Sequence, residues 1–200
     1  MAKRLRWIPI PYTKKERIIL SNILPVGLYG VEAAWVNKPA LRALRAAIAD
    51  ALGPRSARTS NDIVFNNTLC SQDLDPETYI VVQRVMNIRR AIAKHPSKHP
   101  KIIDIINNYQ DPYYRHFNIT NPGGPVGLLM NDLSNIGASL TADLQILRPH
   151  EPPIDIQNLP WQHLKKAITA MMARTRIKRA SQDRTHLDNV CETKASDLQV

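Results

Sequence analysis

Residues 18–31 read Ile18-Ile19-Leu20-Ser21-Asn22-Ile23-Leu24-Pro25-Val26-Gly27-Leu28-Tyr29-Gly30-Val31 and carry no charge, in a chain with 27 Lys and Arg. A bilayer span needs roughly 20 apolar residues, so this run is too short to cross a membrane. It suits a helix packed on most of its faces inside a globular core. Just upstream, Thr13-Lys14-Lys15-Glu16 has the capping-box pattern, in which Thr13 accepts from the Glu16 amide and Glu16 reaches back. Pro25 removes one amide hydrogen and crowds the preceding turn, which predicts a kink. Gly27 and Gly30 allow another backbone to approach. The expectation is a central helix from about Thr13 to Ala34, with the later helices packed around it.

Outward from that helix, the punctuation is helical. Asn37 caps a second helix with Pro39 in its first turn, Leu41, Leu44, Ile48 and Leu52 share a face, and Gly53-Pro54 stops it. Arg42 and Arg45 fall on another face. Asn61 to Phe65 reads as a short helix. Asp75-Pro76-Glu77 opens a third long helix that runs to about Lys94, with Val81, Val85, Ile88 and Ile92 as its apolar stripe. A shorter helix over Lys101 to Tyr109 turns Ile102, Ile103, Ile105 and Ile106 inward. Residues 110–124 read as a loop. Pro125 to Ile136 is another helix, ended by Gly137, and Leu140 to Leu147 is at most one short strand. Pro149 to Pro160 is proline-rich and extended. Asn158 and Pro160 open the last helix, where Trp161, Leu164, Ile168 and Met171 share a face. Beyond about Arg179 the apolar period fades into a disordered tail.

The fold class expected is therefore mainly α: an irregular helical bundle with long proline-rich loops. It divides into an extended basic arm over 1–12 with Trp7 and Ile8 as anchors, a helical core over 13–109, a loop-rich helical extension over 110–180 and the tail over 181–200. Two hundred residues are enough for a real core, and 44% hydrophobic content is ordinary for a globular protein. Cys70 and Cys191 form no disulfide framework, which suits an intracellular setting, cytoplasmic or nuclear. Pro9 and Pro11 follow the basic N-terminus where a signal peptide has its apolar region.

The formal charge is +10, and its distribution says more than its size. Residues 1–17 hold six Lys and Arg against Glu16, and residues 161–184 hold seven against Asp183. The stretch 18–160 is close to neutral. Two basic blocks flanking a balanced middle favour a polyanion, with phosphate the usual partner; a solubilising role is the bland alternative.

No spacing makes an active site. His95 and His99 have half of a zinc-finger spacing without a Cys-x-x-Cys partner. Asp73, Asp75 and Glu77 are accounted for by helix capping. Gly123-Gly124-Pro125-Val126-Gly127 lacks the Lys-Ser/Thr of a P-loop. Glu32, at the end of the uncharged run, is a candidate buried functional acid, although such a residue more often emerges to solvent or meets an arginine. No metal and no cofactor is expected.

The stretch Ile23-Leu24-Pro25-Val26-Gly27-Leu28-Tyr29-Gly30-Val31-Glu32, followed by a Leu/Arg/Ala helix ending Leu52-Gly53, resembles the region just after the palm in reverse transcriptases of non-LTR (LINE-like) retrotransposons. The resemblance covers about Lys14 to Gly53 and continues more loosely to about His95. In that family this stretch begins the thumb, a helical element that holds the template–primer duplex by its backbone. The family's paired palm aspartates have no counterpart, because the chain contains no Asp-Asp pair. The resemblance therefore implies a thumb-side fragment or relic without fingers or palm, and no enzyme on its own. It implies nucleic acid as partner (RNA, DNA or hybrid, without sequence preference), the polymerase's palm and fingers as a further partner, and no membrane.

The expected phosphate contacts are Lys3, Arg4, Arg6, Lys14, Lys15, Arg42 and Arg45, with Lys165, Lys166, Arg174, Arg176, Lys178 and Arg179 from the far block. Binding through them should weaken on the order of tenfold or more between about 50 and 200 mM salt. The reading from another class is a helical protein-interaction or scaffold module whose basic ends confer solubility only.

Overall fold

A computed structural model describes residues 2–53, 60–67, 71–110 and 124–182. The chain is mainly helical, as the sequence predicts, with one small sheet among the described residues. Within residues 1–12, however, Ala2–Leu5 is a helix, α1, that buries Ala2 and Leu5 on the side of the helix Lys38–Leu52. Its apolar residues find a core before Pro9 and Pro11 interrupt the backbone. Trp7 and Ile8, the expected anchors, are exposed instead.

The uncharged run continues a helix that begins at α2, Tyr12–Ile18. Pro11 takes the cap position and no side chain caps this end, so the predicted capping box does not form. Glu16 points inward instead. Next comes a π turn, Ile19–Ile23, and then α3, Leu24–Gly27. The expected irregularity thus falls just before Pro25. Without an amide hydrogen, Pro25 cannot bond the Ser21 carbonyl, and its ring crowds that oxygen. The wider turn relieves the crowding, and the Leu24 amide donates five residues back to Ile19. Gly30 (φ +74°) then reverses the chain, a left-handed conformation that side chains disfavour, and its carbonyl accepts from the amides of Ala33 and Ala34.

Ile19, Ile23, Leu24, Leu28 and Val31 are buried, but Val26 and Tyr29 are 79% and 93% exposed. The run therefore buries one face, not most of them. It joins a first core with Ile48 and Leu52 of α4 (Lys38–Leu52), Val64 and Phe65 of α5 (Asn61–Asn67), Leu74 and Ile80. As predicted, Asn37 caps α4, accepting from the Ala40 amide at 3.0 Å, and Gly53 ends it. A Cβ at Gly53 would lie 2.9 Å from Val64 Cγ2, so α5 can pack there only against glycine.

α6 (Pro76–Lys94) is capped by Asp75, also as predicted. It supplies Ile80 to the first core and Val81, Val85 and Ile88 to a second. The second core also draws on α7 (His99–Gln110), α8 (Gly124–Asn135) and α9 (Trp161–Gln182), through Ile102, Ile106, Leu129, Leu133, Leu164, Ile168 and Met171. The element shared by both cores is thus α6 and not the uncharged run. Ile105 and Trp161, expected inside, are exposed: Ile105 lies off the buried stripe of α7, and Trp161 is on the buried face of α9 but at its first residue, beyond the core.

Gly137 (φ +71°) ends α8, with the Ala138 amide reaching back to the Leu133 carbonyl at 2.8 Å. Three short strands follow where one was expected. β1 (Ser139–Leu140) pairs antiparallel with β2 (Gln145–Leu147), which pairs with β3 (Ile154–Asp155). The Thr141 hydroxyl divides the stretch by bonding both the amide and the carbonyl of Gln145. Leu144 adopts φ 55° at the turn, held there by burial of its side chain in the second core. Asn158 does not cap α9; it completes a turn on Asp155, whose carboxylate accepts from the Gln157 and Asn158 amides. The expected loop over 110–124, the tail beyond residue 182, and both cysteines lie outside the described residues, except for Gln110 and Gly124, which belong to helices.

Candidate functional site

The two basic blocks behave differently once folded. Arg45, on α4, is held by three carboxylates. Its Nε donates to Asp75 Oδ1 and its Nη2 to Asp62 Oδ1, both at 2.7 Å, and its Nη1 lies 3.2 Å from Glu77 Oε1. Burial opposes the charge, but Asp75, Glu77 and Asp62 outweigh it and hold the Arg45 pKa above the ordinary arginine value. The guanidinium also sits 5.6 Å over the Phe65 ring.

Arg176, on α9, reaches the same carboxylate from the other side. Its Nη1 donates to Asp75 Oδ2 at 2.8 Å and to Thr78 Oγ1 at 2.6 Å, and its Nε donates to Asn66 Oδ1. Arg179 closes the cluster through Glu77 Oε2 at 2.6 Å. Three arginines thus meet three carboxylates where α4, α5, α6 and α9 converge. Asp75 caps α6 as predicted, but it also pairs with two guanidinium groups, with Asp62 and Glu77 supplying the remaining charge.

Other predicted phosphate contacts are engaged as well. Lys165 pairs with Asp73, Arg174 with Glu151, and Arg6 with Asp50. Lys15 donates to the carbonyls of Arg6 and Ala51. Arg176 is fully buried and Arg45 nearly so, and neither can reach a phosphate. Lys3, Arg4, Lys14, Arg42, Lys166 and Lys178 are exposed and form no ion pair with the described residues. Arg17 and Lys38, which the sequence reading passed over, share that state. The structure brings Arg45, Arg176 and Arg179 together as an internal cluster and leaves the other predicted contacts dispersed over α1, α2, α4 and α9, while Arg90, Lys94, Lys98 and Lys101 are exposed elsewhere.

A second buried arginine site was not anticipated. Arg84, on α6, donates from Nε to the Val31 carbonyl at 3.0 Å, from Nη2 to Ala34 at 2.9 Å, and from Nη1 to Leu128 at 3.3 Å and to Asp132. Burial raises the Asp132 pKa, and Arg84 opposes the rise. The signal was present: Ile80, Arg84 and Ile88 are spaced four apart, which puts an arginine in line with two buried isoleucines. Met172, Arg176 and Ala180 repeat the pattern on α9.

Beside Arg84 a cleft of about 230 Å³ opens between α4, α6, α8 and α9. Its apolar walls include Leu41, Ile80, Val81 and Met172, and the half-exposed Trp35 also lines it. Lys38 and Arg42 line one side, and Asn131 and Asn135 the other. Among the described residues no group of three or more His, Cys, Asp or Glu is placed to hold a metal ion, and no helix is long and apolar enough to cross a membrane. His99 meets the Gln157 amide at 3.2 Å, and His95 closes the C-terminal end of α6. Comparison with protein-family models, with curated proteins and with solved structures returns no match.

Proposed function

We propose that this chain is a non-catalytic module that binds the sugar–phosphate backbone of nucleic acid, in the manner of the reverse-transcriptase thumb that Lys14 to Gly53 resembles. One observation supports the reading most. Residues 2–53 contain nine Lys and Arg against three acids, and of these only Glu32 is neither buried nor paired. Glu16 is buried, Asp50 is occupied by Arg6, and Glu32 is half-buried. Lys3, Arg4, Lys14, Arg17, Lys38 and Arg42 are therefore six exposed cations on α1, α2 and α4, with Glu32 the one acid of the segment left to oppose them. Such a surface attracts phosphate without reading bases.

The test is fluorescence anisotropy of a labelled duplex, DNA or RNA–DNA hybrid, titrated at several salt concentrations. Affinity should fall on the order of tenfold or more between about 50 and 200 mM salt, with little dependence on sequence. A salt-independent affinity, or no binding at low salt, overturns the reading.

The protein-interaction reading draws on a different feature, the exposure of Val26 and Tyr29 beside the first core. Saturable binding to a protein, uncompeted by duplex, would select it.

A further inference from the structure

We propose that the cleft beside Arg84 takes one unstacked nucleotide, at an end or single-stranded branch of the nucleic acid held by the cationic surface. The inference rests on the backbone-binding reading and adds to it a site that distinguishes single-stranded from duplex ends.

Three features of the cleft converge on that ligand. Its volume, about 230 Å³, is below the roughly 300–1,000 Å³ that encloses a drug-sized ligand, so it accommodates one ring system and not a duplex. Its apolar walls and the half-exposed Trp35 indole that lines it suit the face of a planar base, for which aromatic rings are the sequence-tolerant platform. Its polar groups lie on two sides. Asn131 and Asn135, one turn apart on α8, bring two amides that form no hydrogen bond with the described residues. Each amide offers both a donor and an acceptor, as the edge of a base requires.

Across from them, Lys38 and Arg42 are one turn apart on α4 and form no ion pair with the described residues. Glu77 and Asp132, the carboxylates that line the cleft, are held by Arg45, Arg179 and Arg84, so they offer little repulsion to an anion. A phosphate therefore faces α4, and a base faces the amides and the indole. The two cations also belong to the proposed backbone surface, so a strand running over α4 passes the mouth of the cleft.

The experiment compares a blunt duplex with the same duplex carrying a three-nucleotide overhang, at 50 mM salt, by anisotropy. The overhang should bind on the order of fivefold tighter or more, the lower range of what one stacked base contributes. Trp35→Ala and Asn131→Ala/Asn135→Ala should abolish that preference while leaving blunt-duplex affinity in place, and Trp35→Phe should retain it. Equal binding of the two duplexes, or a preference that survives Trp35→Ala, overturns the cleft proposal and leaves the backbone reading intact. If neither duplex binds, the backbone reading fails, and a nucleoside monophosphate then tests the cleft alone. Quenching of tryptophan fluorescence by the monophosphate but not by inorganic phosphate, absent in Trp35→Phe, supports the cleft, and no such quenching overturns it.

Discussion

Arg176 donates to Asp75 at 2.8 Å across 101 residues of chain, and both side chains are completely buried. This contact ties the last helix to the first turn of α6. A buried ion pair contributes little net stability over an apolar substitute, because desolvation offsets the attraction, but removing one partner is costly. Its value lies in register: Asp75 can serve both Arg45 and Arg176 only if α4, α6 and α9 are correctly placed.

The two halves of that pair should differ when removed. Asp75→Ala leaves two buried guanidinium groups short of a carboxylate and uncaps α6, and should cost about 3–5 kcal/mol. Arg176→Met leaves Asp75 still paired with Arg45 and removes a buried Nη2 that has no hydrogen-bond partner. It should cost about 2 kcal/mol or less. Urea unfolding measures both, and a larger loss for Arg176→Met would refute this account of the cluster.

Arg84→Lys should loosen the turn after the uncharged run. A lysine cannot reproduce the fork that bonds Val31, Ala34 and Leu128, so at least one buried carbonyl loses its donor, at about 1–3 kcal/mol each. Amide exchange at Ala33 and Ala34, which bond the Gly30 carbonyl, should accelerate more than exchange in the middle of α7. Uniform acceleration would show that Arg84 supports global stability only.

Acid sensitivity should depend on Glu151. The Arg174 hydrogen bonds, with Arg148 adding to them, hold its pKa below the ordinary glutamate value of 4.5. As pH falls through that value, the unfolded chain takes up the proton while the folded one does not. The stability from this clamp is therefore full above about pH 4.5 and lost as pH falls through the lowered folded value. Arg174→Gln should lower stability at pH 6 and narrow the difference between pH 6 and pH 3, as read by urea midpoints. An unchanged pH dependence would remove Glu151 as a contributor.

Paired and unpaired cations should separate in binding. Lys14→Ala and Arg42→Ala each remove an exposed charge that forms no ion pair with the described residues, and each should weaken duplex binding and reduce its salt slope by about 1. Lys165→Ala and Arg174→Ala remove charges already matched by Asp73 and Glu151 and should change affinity much less. Equal effects in all four variants would show that net charge alone drives association.

Much of this architecture was written locally. Asn37 with Pro39, Asp75 with Pro76, and Gly137 set helix ends through hydrogen bonds and dihedral preferences within a few residues, and those ends fall where the sequence places them. The predicted cap at Thr13 failed because Pro11 starts α2 earlier and Glu16 turns inward. The lone arginines at positions 84 and 176, each spaced four residues from buried apolar neighbours, announced buried charge but not its partners.

By itself, then, the sequence determined a mainly helical chain, its principal helix boundaries and the excess of positive charge. Only the tertiary structure decided which charges remain available. Pairing of Arg45 and Arg176 with Asp75 joins residues 30 and 101 positions apart, and helical periodicity carries no information about such distances. It also decided that α6, and not the uncharged run, serves both cores, because one helix can bury two faces only when elements distant in sequence arrive on either side.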